Sequence, residues 1–431
     1  MILKRKQITD AASLALVETD KFKANYMSLS FAAPLCRENA AYDALLPLVL
    51  SRGTAKMPTM RELNRELDNL YASTISPRCL RRGETHFFGF SAYTLDNAYA
   101  PDGCDITAGV LEILNDMINN PLKLADAFKS EYVEGEKNNL CDRISSAINN
   151  KNRYAITRCI EEMCANEPFA VGEYGDIESV KKITAGSLYE YYLSTIENLS
   201  AEVFYVGRFS DSAQNGLNDI LAPFKASVSS IAKSEVKLSA DKVKRVDEDQ
   251  PVKQAKLSLG YRTGITLDNP EHCKFTVFNE IFSSSPMSKL FRNVREKLSL
   301  AYYCHSIPEP LKGIMVVTSG IDASNREKAE AEIEHQLNAV RAGEITDDEI
   351  NAAKASIINA YRELEDSPEA LERWYTVRMM AGRSDSPAQA AEDILKVTKE
   401  DVAQIAQGLS LDTVYYMNPT LKGSEGEAVN E

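Results

Sequence analysis

The sequence predicts an α+β protein of two similar tandem halves, each a mostly antiparallel sheet packed with helices. Two observations carry that expectation. Short alternating strand segments and long helical segments follow one another in the same order twice along the 431 residues. Between the two runs lies Lys225–Gln250, a polar, charged stretch poor in bulky apolar residues, which has the composition of a linker. The expected division is therefore 1–224, a connector over 225–250, and 251–431.

The elements repeat in register. Phe22–Pro34 (FKANYMSLSFAAP) and Val252–Gly264 (VKQAKLSLGYRTG) both alternate as strands, and Ser28-Leu29-Ser30-Phe31 is answered by Ser258-Leu259-Gly260-Tyr261. A helix follows in each half, Ala40–Leu50 and Pro270–Phe282, and then a second, Arg61–Tyr71 and Ser288–Leu298. Strands come next at His86–Tyr93 and Ile314–Ile321, and long helices at Thr107–Ile118 and Asn325–Ala342. Both halves close alike: Ile183-Thr184 and Val397-Thr398 open helices that end before the strands at Val203–Gly207 and Thr413–Tyr416. Thr398 with Asp401, and Thr346 with Glu349, have the spacing of capping boxes. Ile350, Ile357, Tyr361 and Leu364 form one apolar stripe on the helix after Thr346.

Composition narrows function. Hydrophobic content of 44% with 26% charged residues is that of a globular protein. A net charge of −14 opposes nucleic-acid binding, which needs a basic face, and binding to anionic membranes. The start MILKRKQITDAASLALVE lacks a continuous apolar core and a small-residue cleavage site, and the apolar run Ala44–Leu50 is too short to span a bilayer. Eight scattered cysteines without a CxxC pair read as reduced thiols, so a cytoplasmic location is expected. The four histidines, His86, His272, His305 and His335, show no HxxxH spacing and read as structural or exposed. Cys304 and His305 are neighbours on a strand and point to opposite faces, so no nucleophile–base pair is expected there.

The most informative segment is Leu290–Tyr303, LFRNVREKLSLAYY. Phe291, Val294 and Leu298 share one helical side, Arg292, Arg295, Glu296 and Lys297 supply charge, and Leu300–Tyr303 has strand composition. A guanidinium at Arg295 and a phenol at Tyr302, held at a fixed separation, suit a peptide carbonyl or carboxylate.

This block and the duplication together resemble the pitrilysin/insulinase family of zinc peptidases, and the resemblance runs from the strand at Phe22 to the strand at Tyr416. It implies the mitochondrial-processing-peptidase/insulinase-like fold. In that family the first half carries HxxEH on a helix followed by a Gly-Thr turn, with two imidazoles for zinc and a glutamate as general base. Here Gly53-Thr54 is kept, but Ala44 and Leu48 stand at the imidazole positions and Pro47 at the glutamate. The third-ligand position falls on Asp142 or Arg143, with Glu136 upstream. The resemblance thus implies no metal, no cofactor and no catalytic residue.

The second-half block, by contrast, is retained: Ser284, Ser285, Ser288, Leu290, Phe291, Arg295, Glu296, Leu300, Ala301 and Tyr302. By resemblance Ser284, Ser285, Phe291, Arg295 and Tyr302 bind substrate, Arg295 orienting the peptide backbone and Tyr302 donating to the oxyanion, while Tyr303 points to the other face. Several family members with short, two-domain chains work as pairs, one subunit bearing the metal and the other assisting. A catalytically silent subunit is therefore expected, forming a peptide-binding chamber as a heterodimer with a homologous zinc peptidase, or a homodimer when alone. No nucleic-acid or membrane partner is expected. The alternative is a structural or peptide-holding scaffold. Unlike some assisting subunits, the chain has no glycine-rich loop: Ile281–Met287 is serine-rich.

Overall fold

The computed structural model describes residues 2–225 and 233–420. Residues 226–232 of the expected connector, and 421–431, lie outside the described residues. The first half runs β1 (Leu3–Thr9), β2 (Ala12–Glu18), β3 (Ala24–Pro34), α1 (Ala40–Leu50), α2 (Met60–Asn69), β4 (Thr74–Arg82), β5 (Thr85–Leu95), α3 (Ile106–Asn119) and a minimal pair β6 (Lys123–Leu124) and β7 (Ala127–Phe128). It continues with α4 (Ser130–Ser146), α5 (Lys151–Met163), α6 (Ile177–Lys182), α7 (Ala185–Asn198), β8 (Ser200–Gly207) and α8 (Asp211–Leu221). The second half comprises β9 (Lys244–Gln250), β10 (Ala255–Arg262), α9 (His272–Asn279), β11 (Ala301–Glu309), β12 (Ile314–Ile321), α10 (Arg326–Arg341), α11 (Asp347–Leu364), α12 (Pro368–Met380), α13 (Pro387–Lys396), α14 (Lys399–Gln407) and β13 (Ser410–Pro419).

The sheets verify the duplication. The first has the order β1-β2-β8-β3-β5-β4, the second β11-β12-β10-β13-β9. Read from opposite ends, β2-β8-β3-β5-β4 and β9-β13-β10-β12-β11 are the same topology, each with a single parallel pair, β2 with β8 and β9 with β13. Strand β9 falls inside the stretch expected to be a connector. Its charged sequence KRVDEDQ is tolerated because it is an edge strand with alternating exposure, hydrogen-bonded on one side only.

The chain divides into two compact units that do not follow sequence order. One holds residues 1–146, 171–233 and 364–380; the other holds 147–170, 234–363 and 381–431. Helix α5 therefore packs on the sheet of the second half and α12 on that of the first. In the second unit, Ala155, Cys159 and Met163 of α5 meet Val316, Tyr415 and Met417 of the sheet. Gly260 makes this seating possible, since a Cβ there would lie 2.8 Å from Met163 Sδ. In the first unit, Tyr375 of α12 stacks on Phe204 with centroids 6.4 Å apart.

Each exchanged helix is also tied by buried charge. Glu372 on α12 accepts from Tyr26 Oη, from Ser28 Oγ at 2.7 Å and from Arg78 at 2.6 Å. Arg262 on β10 donates to Met163 O at 2.7 Å and to Glu167 at 2.8 Å, and its Nε donates to Asp412 at 2.8 Å. Lys312, fully buried, pairs with Glu167 at 2.6 Å. Such groups are stable only when their charges are matched, so they fix which helix sits on which sheet.

On the other sheet face of each unit lies the apolar core. In the first, Met27, Leu29 and Phe31 of β3 and Phe88 and Phe90 of β5 meet α1 and α3; in the second, Leu257, Leu259 and Val317 meet α9, α10 and α14. The capping boxes at Thr398–Asp401 and Thr346–Glu349 form, with Asp401 N and Glu349 N donating to the threonine hydroxyls at 3.2 and 3.1 Å. Among the described residues no helix is long and apolar enough to cross a membrane.

Candidate functional site

In the first unit, helix α1 holds the three positions where metal chemistry would stand. Ala44 is 3% exposed, Pro47 is buried in mid-helix and Leu48 is half-buried against the core. No side chain among them has a lone pair to offer a cation or a proton to move. Pro47 also removes one backbone donor from the helix interior. After the helix, Gly53 adopts φ +157°, where a Cβ would lie 2.6 Å from Pro58 O, and Thr54 N donates to Met57 O at 2.8 Å. The turn is retained although the ligands before it are not.

Helix α4 completes that neighbourhood. Glu136 is 7% exposed and accepts from Arg52 at 3.1 Å. Asp142 and Arg143 are both exposed, and the Arg143 guanidinium lies over the Tyr174 ring at 5.4 Å. Among the described residues no group of three His, Cys, Asp or Glu side chains is placed to hold a metal. The residues present do not fit zinc.

In the second unit, the serine and arginine segments take an uncommon backbone. After α9 the chain continues as π-helix over Glu280–Ser284, and again over Phe291–Lys297. The wider i→i+5 winding, closed by Leu298 N donating to Asn293 O at 3.1 Å, changes the facing of the segment. Leu290 and Val294 are fully buried, Phe291 is half-buried, and Leu298 is 45% exposed, so the expected stripe Phe291–Val294–Leu298 does not form. Ser299 then takes φ +48°, a left-handed conformation that costs a non-glycine residue roughly 1 kcal/mol or more.

These devices leave the predicted groups at the surface. The Arg295 guanidinium lies over the Phe291 ring at 4.6 Å, its Nε 3.4 Å from Glu296 in a pair with side chains 44% and 57% exposed. The register between β11 and β12 shifts between Ala301 and Tyr303, so Tyr302 is the unpaired bulge residue, 60% exposed. Its hydroxyl donates to Asp322 at 3.2 Å, and that carboxylate holds the phenol above its usual range, as a donor.

Tyr303 turns the other way, its ring under Lys256 at 5.3 Å and its hydroxyl donating to Asn152 at 2.8 Å. Asn279 donates to Ser284 Oγ at 2.7 Å and Met287 N donates to Ser285 Oγ at 3.2 Å. Ser283 bonds Ser306, which donates to Asn279 at 2.5 Å and pins the first π-segment to β11. Phe291 and Arg295 are thus brought together, while Tyr302 is partnered by Asp322 and the two serines serve the local turn.

Sequence reasoning did not reveal the polar chain in the first unit, where Asp43, His86 and Cys79 line up. Asp43 directly precedes the altered Ala44, and its position in a buried helix turn was the available signal.

Two duplicated α+β halves and, in the first, a helix without donors where a metal site would stand define the class: a metallopeptidase framework without its hydrolytic chemistry. Residues 182–357 match the family described as the peptidase M16 inactive domain. The chain is 35% identical over 415 residues to the probable inactive metalloprotease YmfF of Bacillus subtilis (strain 168), spanning 95% of this chain and 96% of that protein. A conserved protein from Enterococcus faecalis superposes with TM-score 0.89 at 25% identity, covering 98% of this chain and 100% of the other. The peptidase M16 inactive domain from Pseudomonas fluorescens has the same fold, with TM-score 0.75 at 16% identity over 98% of this chain and 99% of its own. The chain belongs to the peptidase M16 family, as a non-catalytic homologue.

Proposed function

We propose that the protein is a silent subunit that pairs with a zinc-bearing homologue and assists its proteolysis, presenting Arg295 and Tyr302 to the bound peptide. The observation that supports this most is conformational. A π-helical turn, a left-handed Ser299 and a bulge all converge on one short segment, and each carries an energetic cost. What they accomplish is to place a guanidinium on an aromatic ring and a phenol in solvent, which does nothing for the core. Side chains held out in this way suit recognition of a peptide backbone, the guanidinium offering a fork of donors and the phenol a single one. This reading assigns Ser284, Ser285 and Phe291 to the same peptide-binding surface.

The test is reconstitution with a homologue from the same genome that carries an intact HxxEH. Peptidase activity should rise on mixing, and Arg295→Ala and Tyr302→Phe should each reduce the gain by about tenfold to a hundredfold. A partner whose activity is indifferent to the added subunit across a peptide panel would overturn the reading. The scaffold alternative has no role in proteolysis: it predicts no gain on mixing, and Arg295 and Tyr302 substitutions that alter stability alone and leave peptide binding unchanged.

A further inference from the structure

The strongest constellation that the proposed function leaves unused lies in the first unit, between α1 and the outer strand β4. His86 of β5 is fully buried, and Asp43 of α1 is 1% exposed. His86 Nδ1 is 2.8 Å from Asp43 Oδ2, and Nε2 is 2.9 Å from Cys79 Sγ. Tyr191 of α7 donates to the other Asp43 oxygen at 2.5 Å. A carboxylate can only accept, so Asp43 holds the ring proton on Nδ1 and leaves the lone pair of Nε2 facing the thiol. This is the order of a nucleophile, a base and a group that orients the base.

Cys79 differs from the other well-buried thiols of the chain. Cys159 is fully buried and Cys304 is 3% exposed within the second core; the Cys79 thiol, like that of Cys159, also has a backbone carbonyl within reach, Glu173 O at 3.7 Å. Cys79 is only partly buried, on a strand with a free edge. Burial, with the carboxylates of Asp43 and Glu173, holds the Cys79 thiol well above its usual range, and the Arg143 guanidinium offsets this only in part. That opposition applies to loss of the proton to solvent. Transfer to His86 keeps the proton inside the chain and creates no net charge there.

We propose that Cys79 is a site of covalent modification, a thiol activated by His86 and Asp43 that reacts with small hydroperoxides. The sulfur lone pair attacks the terminal peroxide oxygen, and an S–O bond forms as the O–O bond breaks. The thiol proton passes to His86 Nε2 and from there to the departing oxygen, which leaves as water or an alcohol. Sulfur is oxidised to sulfenic acid and the peroxide is reduced. The burial of His86 and Asp43 excludes a macromolecular substrate and selects a small one.

The experiment uses the intact chain and hydrogen peroxide, with sulfenic acid trapped by a cyclic dione and each cysteine quantified by peptide mass. Cys79 should label at least about tenfold faster than Cys159 or Cys304 at neutral pH. Its rate should change by less than about twofold between pH 7 and pH 9, because the base is internal, whereas an isolated thiol gains roughly tenfold per pH unit below its pKa. The groups that bear on this profile are Asp43 from α1, Tyr191 from α7, and Glu173 and Arg143 beside the sulfur. His86→Gln and Asp43→Asn should each slow labelling by about tenfold or more. Should either variant fail to fold, the pH profile of the unaltered protein decides alone. A tenfold rise per unit, or labelling no faster than at Cys159, overturns the proposal.

Discussion

Removing the Glu372 carboxylate should undock α12 from the first sheet. Glu372 is 6% exposed and receives three donors, from Tyr26, Ser28 and Arg78. Glu372→Ala leaves the Arg78 guanidinium, in a salt bridge with side chains only 15% and 8% exposed, without its counter-charge. Breaking a buried pair from one side costs about 3–5 kcal/mol, because the surviving charge is stranded. With a urea slope near 3 kcal/mol/M for a unit of this size, the midpoint should fall by about 1–1.7 M.

The assay is built into the helix. Trp374 is the chain's single tryptophan, 8% exposed and packed under Arg378, so its fluorescence reports α12 directly. Pairing Glu372→Leu with Arg78→Met removes both charges and should recover at least about half of the loss. A shift below roughly 0.3 M for Glu372→Ala, or no recovery in the double variant, would refute the claim that matched charge fixes the exchanged helix.

Two further outcomes are expected. Burial alone would raise the Glu167 carboxyl, but its bonds to Arg262 and Lys312 overcome that and hold it below the usual glutamate range. Its stabilising contribution is therefore present above the ordinary value of about 4.3 and is lost as pH falls through the lower folded value, so Glu167→Gln should flatten the acid limb of a stability–pH curve while lowering stability at neutral pH. Pro47→Ala restores a backbone donor inside α1 and should raise the melting temperature by about 3 °C or more, as seen by calorimetry.

Much of the fold was legible because burial imposes local patterns. Ala40–Leu50 and Ile314–Ile321 are a helix and a strand with the bounds that periodicity suggests, and the paired strands Ser28–Phe31 and Ser258–Tyr261 occupy equivalent central places in their sheets. Loss of metal chemistry was legible for a simpler reason: Ala, Pro and Leu carry no donor atoms wherever they lie. The setting of the Arg295 block was not legible. A π-helical and an α-helical turn of the same residues share one apolar pattern for a few positions, and only the hydrogen bonds from Leu298 N to Asn293 O and from Leu300 N to Val294 O select between them.

By itself, then, the sequence determined two repeated α+β halves and a first helix unable to hold a cation, since both follow from side-chain type and spacing. Tertiary structure alone decided that α5 completes the second sheet and α12 the first, that Lys244–Gln250 is a strand, and that Asp43, His86 and Cys79 meet. Each of these depends on partners far apart in the chain, such as Tyr26 with Glu372 or Arg262 with Glu167. A charged residue in isolation looks like solvated surface, and only its long-range partner makes its burial favourable.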